Sequence, residues 1–379
     1  MLLRGICAFV LSGILVAGLW PFHAPRNEVS WLTDRNGLFF GKYGSIVSAG
    51  SFKADPAQAN GSRSLEILLE PTRVDSSGTI LAFYWPEHHI VPFSLHQSLG
   101  DLVLQRPSDD PLQHPGEVRV YVDDVFSQQK LVLVTISSSE AGTTVYADGA
   151  VVKRTGNFKL SSQDLTGTLI VGNSPVRRED WSGQLAGLAV YDRELTKDEV
   201  AEHYENWTKG KRANLAGSEA ALALYLFNEG NGSVVHDQVS PATDLLIPER
   251  FFVFGQLFLE RPWDEFRNDQ DYWKNNGINV FGFIPLGFFF YAYFSSVRRT
   301  KRALAITIAF GFAISLTIEV LQAWLPTRDS GMTDLITNTL GTVLGAILCL
   351  LIAKLHWFTR AGVLTPPPSG ERKKGSSIR

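Results

Sequence analysis

Two apolar runs, residues 303–325 and 335–355, are each long enough to cross a lipid bilayer, which takes roughly 17–25 mostly apolar residues. Inside lipid every backbone polar group must be satisfied internally, so both runs are expected to be helices. Two shorter runs, 5–22 and 280–296, are acceptable as further spans. The first could instead be a cleaved signal peptide. Bulky Leu19 and Trp20 follow the small residues Ala17 and Gly18, and no cleavage pattern stands out, so an uncleaved anchor is expected.

The third and fourth runs are not purely apolar. Glu319, Gln322, Arg328, Asp334 and Asn338 lie in or between them. A carboxylate in a membrane helix costs about 2.5–3.5 kcal/mol on insertion scales, so it usually has a partner and a function. Glu319 and Gln322 share one helix face by their spacing, with Ser315 a turn earlier. Glu319 lies roughly 9 Å below the end of its run at 1.5 Å per residue. With Asn279 they are expected to form a polar pocket open to the outside. Polar groups that simply bridge helices are the competing reading, at about 1 kcal/mol or less each. Pro285, Gly287, Gly341 and Gly345 are the candidates for helix packing: the proline to bend the second span, the glycines to let helices approach closely.

Basic residues orient the spans. Arg298, Arg299, Lys301 and Arg302 lie between the second and third runs, and Arg360, Arg372, Lys373 and Lys374 follow the fourth. The positive-inside rule puts both clusters and both termini in the cytoplasm, with the large middle section outside. The net charge of -3 over 379 residues shows no dominant sign, so no nucleic-acid partner is suggested. Cys7 and Cys349 both sit in apolar runs. The middle section must therefore fold without a disulfide, no zinc-type spacing exists, and no metal or cofactor is identified.

From about residue 30 to 245 the hydrophobic pattern changes to period two. Residues 64–70, 118–122, 131–136, 167–172 and 183–191 read as strands. Residues 143–152 read as a hairpin turning at Asp148-Gly149, a pair that accepts the positive φ angles of a tight turn. Thr196 with Glu199 forms a capping box at the start of a short helix. Short, evenly spaced strands indicate a two-sheet sandwich or jelly roll.

The run Val145-Tyr146-Ala147-Asp148-Gly149, then Leu169-Ile170-Val171-Gly172-Asn173, then Trp181-Ser182-Gly183 through Tyr191-Asp192-Arg193-Glu194-Leu195-Thr196 resembles the laminin-G, or concanavalin A-like, jelly roll over about residues 35–230. The resemblance implies glycan or protein binding. The paired acidic motif of its glycanase relatives is missing, so catalysis there is not expected. Trp85, His88, His89 and Trp181 are candidates for a sugar-stacking surface. The competing reading makes Trp181 a core aromatic and Trp85 to His89 an ordinary loop.

The C-terminal part resembles the VanZ-like family. The carrying residues are Asn279-Val280-Phe281-Gly282-Phe283-Ile284-Pro285-Leu286-Gly287, then Ile318-Glu319-Val320-Leu321-Gln322-Ala323-Trp324-Leu325-Pro326-Thr327-Arg328, then Asp334-Leu335-Ile336-Thr337-Asn338-Thr339-Leu340-Gly341. Together the two resemblances imply an all-β jelly-roll sandwich inserted into a four-helix transmembrane α domain. The expected order is a first span over 1–24, the jelly roll over 30–246, an interfacial connector over 247–275, the remaining spans within 276–358 and a disordered cytoplasmic tail over 359–379. The apolar stretch 251–259 could instead be a last strand of the jelly roll.

The implied function is a multi-pass protein of the bacterial inner (plasma) membrane and cell envelope. Its partners would be membrane lipid, an envelope glycan, a lipid-linked precursor or an envelope protein, with a link to teicoplanin tolerance implied by resemblance. The alternative is an intramembrane enzyme with Glu319 as acid or base, although no catalytic motif is identified. Transport is a third reading, opposed by the lack of a polar stripe between Ala303 and Phe312.

Overall fold

The computed structural model describes residues 1–53, 61–108, 116–217, 221–266, 270–298 and 301–360. It divides into two compact units, one containing Met1–Trp20, Phe258–Gln322 and the residues from Ser330 on, the other Pro21–Leu257 with Ala323–Asp329.

The second unit is an antiparallel sandwich. Among the described residues it has two eight-stranded sheets. One runs through Val29–Trp31, Leu38–Phe40, Gly183–Tyr191, Arg63–Pro71, Val132–Ser139, Gly142–Ala147 and Ala150–Thr155, with Ala221–Tyr225 also paired to Gly183–Tyr191. The other runs through Val234–Val235, Leu245–Leu246, Ile46–Phe52, Gly167–Val171, Ser77–Trp85, Ile90–Ser98, Asp101–Pro107 and Glu117–Val122. Inward-facing Leu65, Ile67, Leu69, Phe83, Phe93, Leu95, Val134 and Ile136 belong to one buried core. Strands buried on both faces lose the strict alternation that marks a half-exposed strand. Arg63–Pro71 is an example, because a helix covers its outer face.

The hairpin turns at Asp148 and Gly149, with φ of 50° and 77°. Positive φ at both central residues matches the twist of the flanking strands. The tail of the sandwich differs from a simple continuation: 251–259 contains no strand. Phe251 is buried against Tyr43, at 5.6 Å between ring centroids, while Phe254 and Phe258 are exposed.

The first unit holds α1 (Leu2–Leu19), and the second holds α2 (Lys197–Thr208). The rest of the first unit is α3 (Pro262–Glu265), α4 (Gln270–Ala292), α5 (Ala303–Gln322) and α6 (Met332–Arg360). Among the described residues four helices are long and apolar enough to cross a membrane: Leu2–Leu19, Tyr272–Ser296, Ala303–Gln322 and Met332–Leu355. The second span begins earlier than expected at residue 280. Backbone hydrogen bonding continues through the polar Lys274, Asn275 and Asn276, where hydropathy no longer marks the helix.

Glycines set the closest packing. A Cβ on Gly341 or Gly345 of α6 would collide with the Val280 or Ile284 carbonyl of α4, and one on Gly287 would meet the Thr342 carbonyl. Pro285 and Gly282 do not share this role. Pro285 is exposed in an unbroken α4, and a Cβ on Gly282 would meet nothing within 4 Å. Both lie on the turn of α4 facing away from its neighbours. The basic tail from residue 361, with Arg372, Lys373 and Lys374, lies outside the described residues, as does Arg299.

Beneath α2 the sandwich buries a carboxylate. Glu66 is 0% exposed and accepts from Thr135 Oγ1 (3.3 Å), Tyr191 Oη (3.0 Å) and Trp207 Nε1 (3.0 Å), with His203 Nδ1 at 3.1 Å. The capping box of Thr196 and Glu199 starts α2 and so fixes where His203 and Trp207 fall on the sheet. Burial by itself would lower the His203 imidazole. The Glu66 hydrogen bond and charge outweigh it and hold His203 above its ordinary 6.5. The pair therefore stabilises the fold fully below the unfolded value and loses that contribution as pH rises through the folded one. The melting temperature advantage of the wild type over His203→Gln should be larger at an acidic pH, below about 6.5, than at an alkaline one, measured by tryptophan fluorescence of the full chain. Glu66→Leu strands four donors and should destabilise the sandwich by about 3–5 kcal/mol at either pH.

Candidate functional site

The polar residues of the helical unit gather at one end: the end of α1, the end of α5 and the start of α6. Each joins a different pair of segments. Asn279 Nδ2 on α4 donates to Asp334 Oδ1 on α6 at 2.8 Å. Asn338 Nδ2 on α6 donates to Ser315 Oγ on α5 at 3.0 Å. Gln322 Nε2 on α5 donates to the Gly18 carbonyl at the end of α1, at 2.7 Å. Glu319, 1% exposed, accepts from the Gly331 N–H at 3.0 Å, just before α6 begins.

Glu319 has company at that helix end. Glu265, at the end of α3, accepts from the Thr333 N–H at 3.1 Å. The first turn of a helix has backbone donors without intrahelical partners and a partial positive charge. Carboxylates from two other segments supply both acceptor and charge. Asn338 brings a different feature. Its Oδ1 is buried and has no hydrogen-bond partner among the described residues, while its Nδ2 is engaged.

Arg328 lies in the loop Ala323–Asp329, which groups with the sandwich unit. Gln256 Nε2 donates to the Leu325 carbonyl at 2.9 Å and to that of Arg328, and Arg178 Nη1 donates to the Thr327 carbonyl at 3.0 Å. The same Arg178 lies 3.6 Å from Asp180. Burial raises the Asp180 carboxyl to about 6 against the pull of Arg178 and Lys42.

On the sandwich, Trp85, His88 and His89 share the turn between Ser77–Trp85 and Ile90–Ser98. Trp85 is half-buried and donates through Nε1 to Thr166 Oγ1 at 3.0 Å. His89 Nδ1 lies 2.8 Å from Tyr84 Oη, and His88 is exposed. Trp181 is separate from them and cannot stack on a sugar. It is 1% exposed in the core, 5.9 Å from Phe40, with Nε1 donating to Gln97 Oε1.

Two clefts of the sandwich unit were not anticipated. One, of about 520 Å³, is polar and includes Arg106, Glu140, Asn157, Lys159, Ser161 and Asp164. The other, of about 550 Å³, is lined mainly by apolar side chains beside polar backbone and includes Arg250, Phe252, Phe254, Trp324 and Pro326. Neither has a compact signature in the chain, because each gathers residues from separate loops. Among the described residues no group of three His, Cys, Asp or Glu side chains could hold a metal ion.

Comparison with known proteins finds two family matches, each over part of the chain. Residues 220–353 match the family model VanZ/LLP1, and residues 92–201 match that of the concanavalin A-like lectin/glucanases superfamily. The chain joins a VanZ-like segment to a concanavalin A-like sandwich. With four helices of membrane-spanning length, it is a multi-pass membrane protein. No curated protein matches it. Among solved structures it is similar to a candidate carbohydrate-binding protein from Bacteroides ovatus ATCC 8483, at 13% identity over 56% of this chain and 57% of that one, with a TM-score of 0.38. It is similar at 14% identity to the binding domain of botulinum neurotoxin serotype D, over 48% of this chain and 45% of that one, with a TM-score of 0.35. The chain spans about half the length of these structures.

The polar ties at the VanZ-like helix end should be energetically real but small. A double-mutant cycle on Asn279→Ala and Asp334→Ala, read by reversible unfolding in micelles, should give a coupling of about 0.6 kcal/mol, typical of interhelical hydrogen bonds in membranes.

Proposed function

We propose that the protein serves the bacterial cell envelope from the inner membrane, with both termini cytoplasmic and the sandwich outside. The basic loop of Arg298, Lys301 and Arg302 supports that orientation. The sandwich recognises an envelope glycan, or a protein that carries one. The polar end of the helical unit faces outward and engages a polar or lipid-linked envelope component. A contribution to glycopeptide (teicoplanin) tolerance follows from the VanZ-like segment alone.

The observation that carries the glycan reading is the polar cleft. Arg106, Glu140, Asn157 and Lys159 line it together with Ser161, whose hydroxyl donates to Asp164 at 2.7 Å, so donors and acceptors meet within a volume that suits a small ligand. Sugar hydroxyls need both kinds of partner. The Trp85–His89 turn supplies less, since Trp85 is half-buried and His89 is engaged with Tyr84. For the helical unit, the buried Asn338 oxygen supports a ligand or water that donates a hydrogen bond. The acid–base reading of Glu319 gains no support from a carboxylate that already accepts from a helix N-terminus.

Glycan-array screening of the full chain in detergent, with Asn157→Ala and Lys159→Ala beside the wild type, tests the reading. Binding to envelope-type glycans should fall about tenfold in each variant, as when one ligand hydrogen bond is removed. A wild type that binds no glycan on the array would sink it, as would variants that bind equally well.

A further inference from the structure

The second cleft, lined mainly by apolar side chains, shares no residue with the polar one. It lies wholly within the sandwich unit, between Phe251–Phe254 of the segment after the last strand and Ala323–Pro326 of the α5–α6 loop. Trp324 is 82% exposed, and Phe254 is also exposed. Large aromatics on a water-facing surface are unfavourable, whereas a tryptophan at the lipid–water boundary is favoured there.

Chain connectivity places this cleft near lipid. Ala323 directly follows the last residue of α5, and Ala24 follows α1 after a few residues. At about 3.5 Å per residue, both walls are tethered within a short distance of a helix end at the membrane surface. Phe22 and Trp20, which precede Ala24, are also exposed. The cleft contains one cation. Arg250 donates through Nη1 to the Ala24 carbonyl at 2.9 Å, which fixes the side chain at the rim. Among the described residues no carboxylate pairs with it. A guanidinium has five donors in a rigid fork suited to phosphate oxygens.

We propose that this cleft seats the headgroup of an anionic phospholipid. Arg250 receives the phosphate, and Phe252, Phe254 and Trp324 pack against the glycerol and upper acyl region. Gln256 ties the cleft's two walls together by donating to the Leu325 carbonyl. The occupant is a membrane lipid, because the cleft combines a single cation with apolar walls and is tethered at helix ends. The proposal rests on the membrane assignment and is independent of glycan binding.

The test is native mass spectrometry of the full chain released from micelles that contain phosphatidylglycerol or phosphatidylcholine. The wild type should retain phosphatidylglycerol in preference to phosphatidylcholine. Arg250→Gln should weaken that retention about tenfold, the loss expected with one charge-assisted hydrogen bond. Trp324→Ala should weaken retention of both lipids, and Arg154→Gln, on an exposed strand, should change neither. Melting curves confirm that each variant is folded, and Arg250→Lys should recover part of the retention. Equal retention of both lipids by the wild type would overturn the proposal. So would undiminished phosphatidylglycerol in folded Arg250→Gln, or competition by millimolar inorganic phosphate, which would make the site a phosphate site instead.

Discussion

A buried carboxylate must find replacements for water, and Glu319 finds its replacement at the start of α6. Its bond from the Gly331 N–H answers two problems at once. The carboxylate gains a donor and a partial positive charge, and the helix gains an acceptor for a backbone group that has none of its own. Glu265 does the same one step further into α6. Alone, either partner would be costly to bury; together they are satisfied. The antiparallel register of α5 and α6 follows from this contact, and Ser315 with Asn338 repeats it deeper in the pair. The glycine contacts between α4 and α6 then allow the backbones to approach closely enough for Asn279 to reach Asp334.

The sandwich obeys the same rule with different means. Glu66 lies on a strand, so no helix end is at hand, and four side-chain donors surround it instead. Two of them, His203 and Trp207, come from α2, and the other two, Thr135 and Tyr191, from the strands that flank Arg63–Pro71. The cost of leaving Glu66 unpaired is thus what holds α2 down on the sheet. Apolar contacts among Val200, Leu195 and Leu224 contribute packing there, but they do not specify the rotation of the helix as the directed bonds from His203 and Trp207 do.

Features decided locally were legible in the sequence. The Asp148-Gly149 turn, the Thr196/Glu199 box and the four apolar runs each depend on neighbours a few residues away. Gly341 and Gly345 were legible for the same reason, since a four-residue spacing puts both on one helix face. Pro285 was misleading because a proline signals strain without saying which way its ring points. Trp181 had two readings, sugar stacking or core, and its place just before a strand pointed to the core, where it packs. The Glu66 cluster left no trace, because its partners are 69 to 141 residues away and an isolated glutamate in a strand reads as an outward-facing one. Glu319 itself stood out, but its partner is a backbone N–H, which no side-chain pattern reveals.

That last distinction bears on what the helix end can do. An acid or base catalyst must exchange a proton with its substrate, so its oxygens have to be reachable in the working state. Glu319 is 1% exposed, and its Oε2 is held by the amide just before α6. The groups with unused capacity are neutral: the Asn338 oxygen is buried without a protein donor, beside a hydroxyl and an amide that are already paired. Such groups distinguish ligands by hydrogen bonding and do not change their covalent state. The same bonds that leave the Asn338 oxygen available to a donor also hold the helices in register.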